Sequence, residues 1–428
     1  MSTNGDIKNP NENLNIPEWI CAEHFKALWE KDVPDYVKVL KFTPVAAIPP
    51  GENFTSVMIR LYVDFELKDG TTKQKSYVLK TMLDEDKGGR EINRMSLFPK
   101  EKIMYEKYLP AFEALYVAAG KKVQLAPQCL FIENLDERIN LVFEDLKPRG
   151  YQNVDRLKGF DMAHMKRVLE RLAELHAVSA VYAQKHGPYP TDFQYSFFNA
   201  DKINEDMEFM YTNKVTTYKA AMAKWGLENA QNYIDKIPTF EQFTKSGMAT
   251  LDIDVNGFNV LTHGDFWSSN IMLNYLPDGA IDRLLFVDYQ ICKWGCPTED
   301  LVFFISISAA KDIRLTEYDH FIEIYYEFLI ENLKLLKYNG TPPKLRDLQM
   351  GTYKAHSTFY AFMAVYNHLV AVLLPTDKDS NIHSLMRTDE FGEQFRMRTF
   401  TNPLYVEAMK DLFPFYHRRG VLNFEDFD

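Results

Sequence analysis

The chain has little cysteine and no concentration of positive charge. Only four of its 428 residues are cysteine, too few for a disulfide framework, which favours a reduced, cytoplasmic setting. Cys292 and Cys296 have no second Cys or His pair beside them to complete a zinc site, so we interpret them as ordinary thiols. Lys and Arg number 49 against 60 Asp and Glu, a formal net charge of -11. Nucleic-acid binding is not expected, because it needs clustered cations.

The N-terminus also lacks the apolar core of a secretory leader, since residues 1–16 form a polar tail rich in Asn. One uncharged run, residues 355–374, is long enough to span a bilayer. It contains His356, Asn367 and His368, however, and its flanks show no marked basic bias. We therefore interpret it as a buried helix and expect no membrane partner.

Hydrophobic residues make up 46% of the chain, enough for a substantial core, and the length favours two lobes. Residues 17–32 predict a leading helix with Pro17 in its first turn. Residues 57–68 alternate with period two and predict a strand, Asp69-Gly70 predicts a tight turn, and residues 73–83 predict the returning strand.

A helix carrying Glu101 and two further strands, in "QCLFIEN" and "INLVFEDL", complete the N-terminal region. Helical patterns dominate from Asp161 onward. The expected fold is α+β and bilobal. It has a small antiparallel N-lobe with a helix at residues 17–143, a hinge at 144–150 and a larger, mainly helical C-lobe at 151–428.

Two short apolar runs in the second half end in polar side chains. "VLTHGDFWSSNIML" contains Asp265 and Asn270, and "RLLFVDYQ" contains Asp288. Asp288 comes eighteen residues after Asn270. Two short strands joined by a loop that fits this separation would bring the three side chains to one end of a hairpin. Carboxylate and amide oxygens gathered there suit Mg²⁺, which keeps waters and phosphate oxygens in its other positions.

A Mg²⁺ site that binds phosphate oxygens would suit phosphoryl transfer, and this reaction also needs a cationic clamp on the phosphates. Lys80, at the end of "SYVLK", is the candidate, and an ion pair with Glu101 would restrict its flexible stem. Alternatives remain, because Asp265 after Gly264 could serve only as a turn and Glu101 could be solvated.

Weaker expectations concern three further residues, of which the first two relate to the loop around Asp265. His263 is expected to brace the loop by hydrogen bonds rather than to move protons. Asp300 either anchors that loop or caps its own helix, and both possibilities stay open. His176 is interpreted as a packed helix residue.

"HGDFWSSN" resembles the phosphotransferase motif shared by aminoglycoside and choline kinases, His-Gly-Asp with an Asn five residues after the Asp. The chain is more particularly similar to the ecdysteroid kinase-like family. The matching stretches run in order over most of the chain: "IPEWI", "GENFTSVMIR", "YVLK", "LFPKEKIMYEKYLP", "LVFEDL", "LHAVSA", "HGDFWSSNIM", "VDYQ" and "EDLVFFI".

The resemblance implies a protein-kinase-like fold with ATP and Mg²⁺ as cofactors. It makes Asp265 the catalytic base, Asn270 and Asp288 the Mg²⁺ ligands, and Lys80 the phosphate clamp with Glu101 as its partner. The hinge would offer the backbone groups of Glu144 and Leu146 to adenine. The phosphate-covering loop would be "GENFTS", with contacts assigned to four residues: Gly51, Asn53, Thr55 and Ser56.

Some features depart from protein kinases. The phosphate loop has one glycine, and Trp267 stands two residues after Asp265, where many protein kinases have Lys. No Ala-Pro-Glu signature follows Asp288. These departures favour a small hydroxylated acceptor over a protein.

The expected function is a cytosolic, monomeric kinase that phosphorylates a hydroxyl of an ecdysteroid, another steroid or a xenobiotic. The aromatic run "FYAFMAVY" would suit an apolar acceptor pocket, although such a run is more often core. A nucleotide- or ligand-binding protein without turnover, and a protein kinase, are the alternatives.

Overall fold

The computed structural model describes residues 16–47, 56–82, 96–135, 138–196, 198, 203–374, 384 and 387–428. They belong to two units. The described residues of the first lie between 16 and 106 and between 127 and 150, and the second holds the remainder. Residues 107–126, assigned to the N-lobe on sequence, thus group with the second unit.

The first unit is built on a five-stranded antiparallel sheet, in the order β1-β2-β3-β5-β4. Helix α2 packs against β5, and a π-helical turn over Met104–Tyr108 follows α2. The strands and helices are β1 Tyr36–Ala46, β2 Val57–Leu67, β3 Thr72–Thr81, β4 Cys129–Leu135, β5 Arg138–Glu144, α1 Lys26–Asp32 and α2 Leu97–Ile103.

The period-two pattern of β2 accounts for the core of this unit. Alternate residues from Ile59 to Phe65 are at most 1% exposed and pack with Phe25 and Trp29 of the N-terminal segment. Gly70, with φ of +78°, makes the predicted turn into β3. Met58 then pairs with Lys80 in the β2–β3 ladder.

The sequence predictions were wrong in two places in this unit. The leading helix begins at Lys26 rather than near Pro17, and residues 16–25 form turns. Strand β1 was not predicted. Its pairing with β2 has two register shifts, it lies at the edge of the sheet and it contains Pro44, so its apolar residues do not alternate regularly.

The second unit is mainly helical and contains two small antiparallel sheets, one formed by β6 and β9 and the other by β7 and β8. Its strands are β6 Val260–Thr262, β7 Ile271–Tyr275, β8 Ile281–Phe286 and β9 Lys293–Gly295. Its α-helices are α3 Leu109–Ala118, α4 Met162–His186, α5 Glu205–Met222, α6 Ala230–Asp235, α7 Phe240–Ala249, α8 Thr298–Ser308, α9 Lys311–Arg314, α10 Tyr318–Leu335, α11 Leu345–Gly351, α12 Ala355–Met363, α13 Leu369–Leu373, α14 Glu390–Phe400 and α15 Pro403–Arg418. Short 3₁₀ turns cover Thr191–Phe193, Ser268–Asn270 and Phe424–Phe427.

The uncharged run at residues 355–374 is helical and largely buried, as predicted. It consists of α12, a π-helical turn over Ala364–His368, and α13. The aromatic side chains of "FYAFMAVY" belong to the core of the second unit, so they lend no support to an acceptor pocket. Among the helices that the structure describes, none has both the length and the apolar character to cross a membrane.

His356 in this segment should make folding stability depend on pH. Its Nε2 lies 2.9 Å from the Thr298 hydroxyl, and burial lowers its pKa to about 3 from 6.5. The unfolded chain binds the proton more tightly than the folded chain. The contribution of neutral His356 to the free energy of unfolding is therefore complete above pH 6.5 and is lost as the pH falls toward 3. Between pH 6.5 and about 5 the loss is up to about 2 kcal/mol.

Urea unfolding at several pH values measures this contribution. His356→Gln, which keeps a polar partner for Thr298 but does not titrate, should show a shallower fall of unfolding free energy between pH 7 and about 5. Equal slopes for the variant and the wild type would contradict the assignment.

Candidate active site

The loop after β6 turns at Gly264, which adopts a φ of +83°. A Cβ built at this position would lie 2.4 Å from the Ile291 carbonyl oxygen, so both the conformation and the space require glycine. This turn brings the chain directly to Asp265.

A single carboxylate holds the loop from beneath. Asp300 of α8 accepts hydrogen bonds from the His263 amide at 2.7 Å and from the Gly264 amide at 2.9 Å. The N-cap position of α8 is Pro297 and not Asp300, and no side-chain hydrogen bond caps the helix there. Of the two possibilities left open by the sequence, Asp300 therefore anchors the loop.

His176 completes this anchor and is more than a packed residue. Its Nε2 lies 3.1 Å from Asp300 Oδ2, and its Nδ1 lies 2.7 Å from the Tyr325 hydroxyl. Burial lowers the pKa of His176 although Asp300 opposes the effect. A neutral ring that donates to Asp300 and accepts from Tyr325 satisfies both contacts.

The side chain of His263 makes its hydrogen bond with the backbone of Val287 and not with Asp265. It is fully buried, and its Nε2 donates to the Val287 carbonyl over 3.0 Å. Phe266 packs next to it, against Phe286 and Phe304 at ring distances of 4.8 and 4.9 Å. These contacts brace the loop, as the sequence led us to expect of His263.

Asp265 and Asn270 are brought together by the 3₁₀ turn over Ser268–Asn270. Asn270 Nδ2 donates to the backbone carbonyl of Asp265 over 2.8 Å and to its Oδ2 over 3.0 Å. The Asn270 side chain thus orients the Asp265 carboxylate through the amide nitrogen, and its Oδ1 remains the atom suited to a cation.

Asp288 lies at the same end of the β7–β8 hairpin as Asn270. Ile271 pairs with Phe286 at this end, and the Val287 amide donates to the Asn270 carbonyl over 3.0 Å. Asp288 has a φ of +69°, a conformation that costs energy for a residue with a side chain. The predicted hairpin is therefore present, although β6 pairs with β9 in a separate sheet.

The donor chemistry here fits a magnesium ion. Mg²⁺ is usually held by one or two protein oxygens, with phosphates and waters in the other positions, and one amide with one carboxylate meets that pattern. Among the residues that the structure describes, no group of three or more His, Cys, Asp or Glu side chains clusters as a metal site. Such a cluster is not needed for a phosphate-bound Mg²⁺.

His368 was not recognised as a site residue in the sequence. Its Nε2 lies 3.6 Å from Asp265 Oδ1. Burial alone would raise the pKa of Asp265, but His368, with His263 and Asn270 adding to its effect, holds this pKa below its ordinary value. The only available signal was the polar pair Asn367-His368 within an apolar helical run.

Two further residues stabilise the 3₁₀ turn by contacts that were not predicted from the sequence. Asn153 Nδ2 donates to the carbonyls of Ser269 and Ile271 over 2.9 and 3.0 Å. The Ser268 amide donates to the Ser308 hydroxyl over 3.1 Å. Neither Asn153 nor Ser308 belongs to a motif, and only the folded chain brings them to the loop.

In the first unit, Lys80 and Glu101 form the ion pair that their spacing suggested. Lys80 Nζ lies 2.6 Å from Glu101 Oε2, and the two side chains are only 6% and 1% exposed. A buried pair of this kind is costly to desolvate, so it needs close geometry, which this distance provides.

The other nucleotide candidates also belong to the first unit. The Glu144 amide donates to the Gln128 carbonyl, and the Leu146 carbonyl accepts from the Arg149 amide. An adenine contact at the hinge would therefore use the Leu146 amide as donor. Ser56 is buried just before β2.

Three phosphate-loop candidates lie outside the described residues: Gly51, Asn53 and Thr55.

Gly264→Ala should disturb the loop far more than a matched glycine change. Gly279 has a similar φ of +86° but nothing within 4 Å of a built Cβ. Gly279→Ala should cost about 1 kcal/mol for the backbone conformation alone. Gly264→Ala should cost about 3 kcal/mol, because the clash with Ile291 adds to that term. Urea unfolding of both variants measures the difference, and equal costs would argue against the close approach at Gly264.

Asp300→Asn should loosen the same loop from the other side. An amide nitrogen cannot accept, so one of the three donors facing Asp300 would lose its partner, at a cost of about 3 kcal/mol. Asp252→Asn is the control, since Asp252 is exposed. It should change stability by less than about 0.5 kcal/mol. Similar effects of the two variants in urea unfolding would rule out Asp300 as the anchor.

Two comparisons find a family or a solved structure similar to this chain. The chain is similar over 93% of its length to 93% of an ethanolamine kinase from Plasmodium vivax, with 14% sequence identity and a TM-score of 0.41. No curated protein sequence matches it. The sequence model of the ecdysteroid kinase-like family matches residues 50–338, more than half of the chain. The chain therefore belongs to the ecdysteroid kinase-like family.

Proposed function

We propose that this protein is an ATP- and Mg²⁺-dependent kinase that phosphorylates a hydroxyl group of a small molecule. Family membership supports a small-molecule kinase. The observation that carries the proposal is the loop in which Asp300 holds the backbone while Asn270 holds the Asp265 carboxylate. A side chain that served only as a turn would not need this support.

Each residue then has one task. Asp265 accepts the proton of the acceptor hydroxyl as its oxygen attacks the terminal phosphorus of ATP. Lys80, held by Glu101, neutralises phosphate charge, and the Leu146 amide binds adenine. Asn270 and Asp288 would hold Mg²⁺, which when bound offsets the negative charge of the phosphates.

The lowered pKa of Asp265 fits the role of base at neutral pH, because the carboxylate is then ionised and able to accept a proton. The acceptor loses its proton only as the new bond to phosphorus forms, so a weak base in the right place is sufficient. Orientation of the carboxylate therefore matters more than its basicity.

An ecdysteroid is the first acceptor to test, followed by other steroids and xenobiotic alcohols or phenols. This choice rests on the family and on Trp267, which occupies the position of a Lys in many protein kinases. The proposal also keeps the expectations of a monomeric, cytosolic protein that binds neither nucleic acid nor membranes.

Two substitutions test the proposed roles separately. Asp265→Asn should lower kcat roughly a hundredfold or more while leaving the Kd for Mg²⁺-ATP unchanged, because it removes the base and not a ligand. Asp288→Asn should abolish turnover. Asp282→Asn on the same hairpin is the control, because its side chain is 38% exposed and away from the hairpin end that holds Asp288.

Coupled ADP release across a panel of hydroxylated acceptors measures these rates. Normal turnover by the Asp288 variant would reject the metal assignment. Binding of ATP by the wild type without turnover on any acceptor would favour a protein that has lost catalysis, and label on proteins would favour a protein kinase.

A further inference from the structure

Each oxygen of the Asp265 carboxylate has a side-chain contact of its own. Asn270 Nδ2 lies 3.0 Å from Oδ2, and His368 Nε2 lies 3.6 Å from Oδ1. The side chains of His368 and Asp265 are 28% and 17% exposed, so neither is sealed inside the core. His368 comes from a helix more than a hundred residues later in the chain than Asp265.

The helix that carries His368 has an unusual geometry at this point. Residues Ala364–His368 form a π-helical turn between α12 and α13. Such a turn holds one more residue than an α-helical turn, which rotates the following side chains by about 100°. π-helical turns are rare in proteins, and those that occur are often found at functional sites. The turn that directs His368 toward Asp265 is therefore a candidate functional feature.

Contacts on both sides fix this turn. Lys214, on the same face of α5 as the buried Tyr211 and Tyr218, donates to Asn367 Oδ1 and lies 4.3 Å above the Tyr366 ring. The ring of Phe303 meets His368 edge-on with centroids 4.6 Å apart. The other ring nitrogen, Nδ1, lies 3.3 Å from the Met363 carbonyl oxygen. The imidazole is therefore held by packing and by this contact, independently of Asp265.

We propose that His368 is a positioning residue that, with Asn270, fixes the plane of the Asp265 carboxylate toward the acceptor hydroxyl. This inference rests on the proposed function. In the reaction, the acceptor oxygen bonds to the terminal phosphorus, the bond from phosphorus to the ADP oxygen breaks, and the hydroxyl proton moves to Asp265. The His368 contact at Oδ1 is looser than a hydrogen bond, at 3.6 Å, but it is the second restraint on the carboxylate. Without it only the Asn270 hydrogen bond at Oδ2 holds the carboxylate, which can then rotate away from the line of proton transfer.

Replacement of the imidazole should therefore act on turnover and not on nucleotide binding. His368→Leu should lower kcat roughly 10- to 100-fold, and the KM for ATP should stay within about twofold of the wild type. His368→Gln should recover most of the rate, since its amide can donate to the carboxylate. His320→Leu, at a 50% exposed histidine of α10, is the control for loss of a histidine and should leave the rate unchanged.

A double-mutant comparison separates positioning from packing. In an Asp265→Asn background, adding His368→Leu should lower the remaining rate less than about twofold, because no carboxylate is left to orient. An equal loss in both backgrounds, or failure of Gln to restore the rate, would overturn the proposal.

A spectroscopic measurement tests the pair even if the protein transfers no phosphate, an outcome that would reject the proposed function itself. The ring ¹⁵N signals of His368 should shift on Asp265→Asn and stay unchanged on Asp282→Asn. Unchanged His368 signals in the Asp265 variant would overturn the positioning role whatever the activity.

Discussion

The buried carboxylate of Asp300 is the contact on which the candidate active site depends. It accepts from two consecutive backbone amides, those of His263 and Gly264, and is held in turn by His176 of α4. A charged acceptor out of contact with water is worth more than a neutral one, and it leaves the loop no alternative hydrogen-bonding pattern. The anchor thus holds the backbone at the left-handed turn of Gly264, one residue before Asp265.

Stability and chemistry are divided between different residues of the second unit. Asp300, His263 and Phe266 are buried and hold the loop, whereas Asp265 and Asp288 remain partly exposed. Asn270 belongs to both groups, because its nitrogen orients Asp265 and its oxygen suits a cation. In the first unit, the close pairing of Lys80 with Glu101 similarly restrains a long side chain in advance of any ligand. This preorganisation is what phosphoryl transfer needs, since the reaction depends on positioning more than on covalent chemistry.

Local patterns were sufficient to predict the elements that carry the site. The alternation in β2 and the turn at Gly70 each depend on consecutive residues, and both predictions were confirmed. The predicted hairpin was confirmed for β7 and β8, which bring Asn270 and Asp288 to one end, but β6 pairs with β9 instead. Strand β1 was missed because register shifts and an edge position removed its alternation. His368 was missed for another reason, since its direction depends on a π-helical turn and on packing against Phe303, which are tertiary features. The catalytic roles themselves remain predictions.

Following isotopically labelled phosphate is the most direct test of the central claim. The purified protein would be incubated with Mg²⁺ and ATP that carries ¹⁸O in its terminal phosphoryl group, together with a panel of steroid and xenobiotic alcohols, and the products read by mass spectrometry. The labelled phosphoryl group is expected on the hydroxyl of a small molecule in an amount equal to the ADP formed. Label found only in inorganic phosphate, only on protein, or still in ATP would contradict a small-molecule kinase.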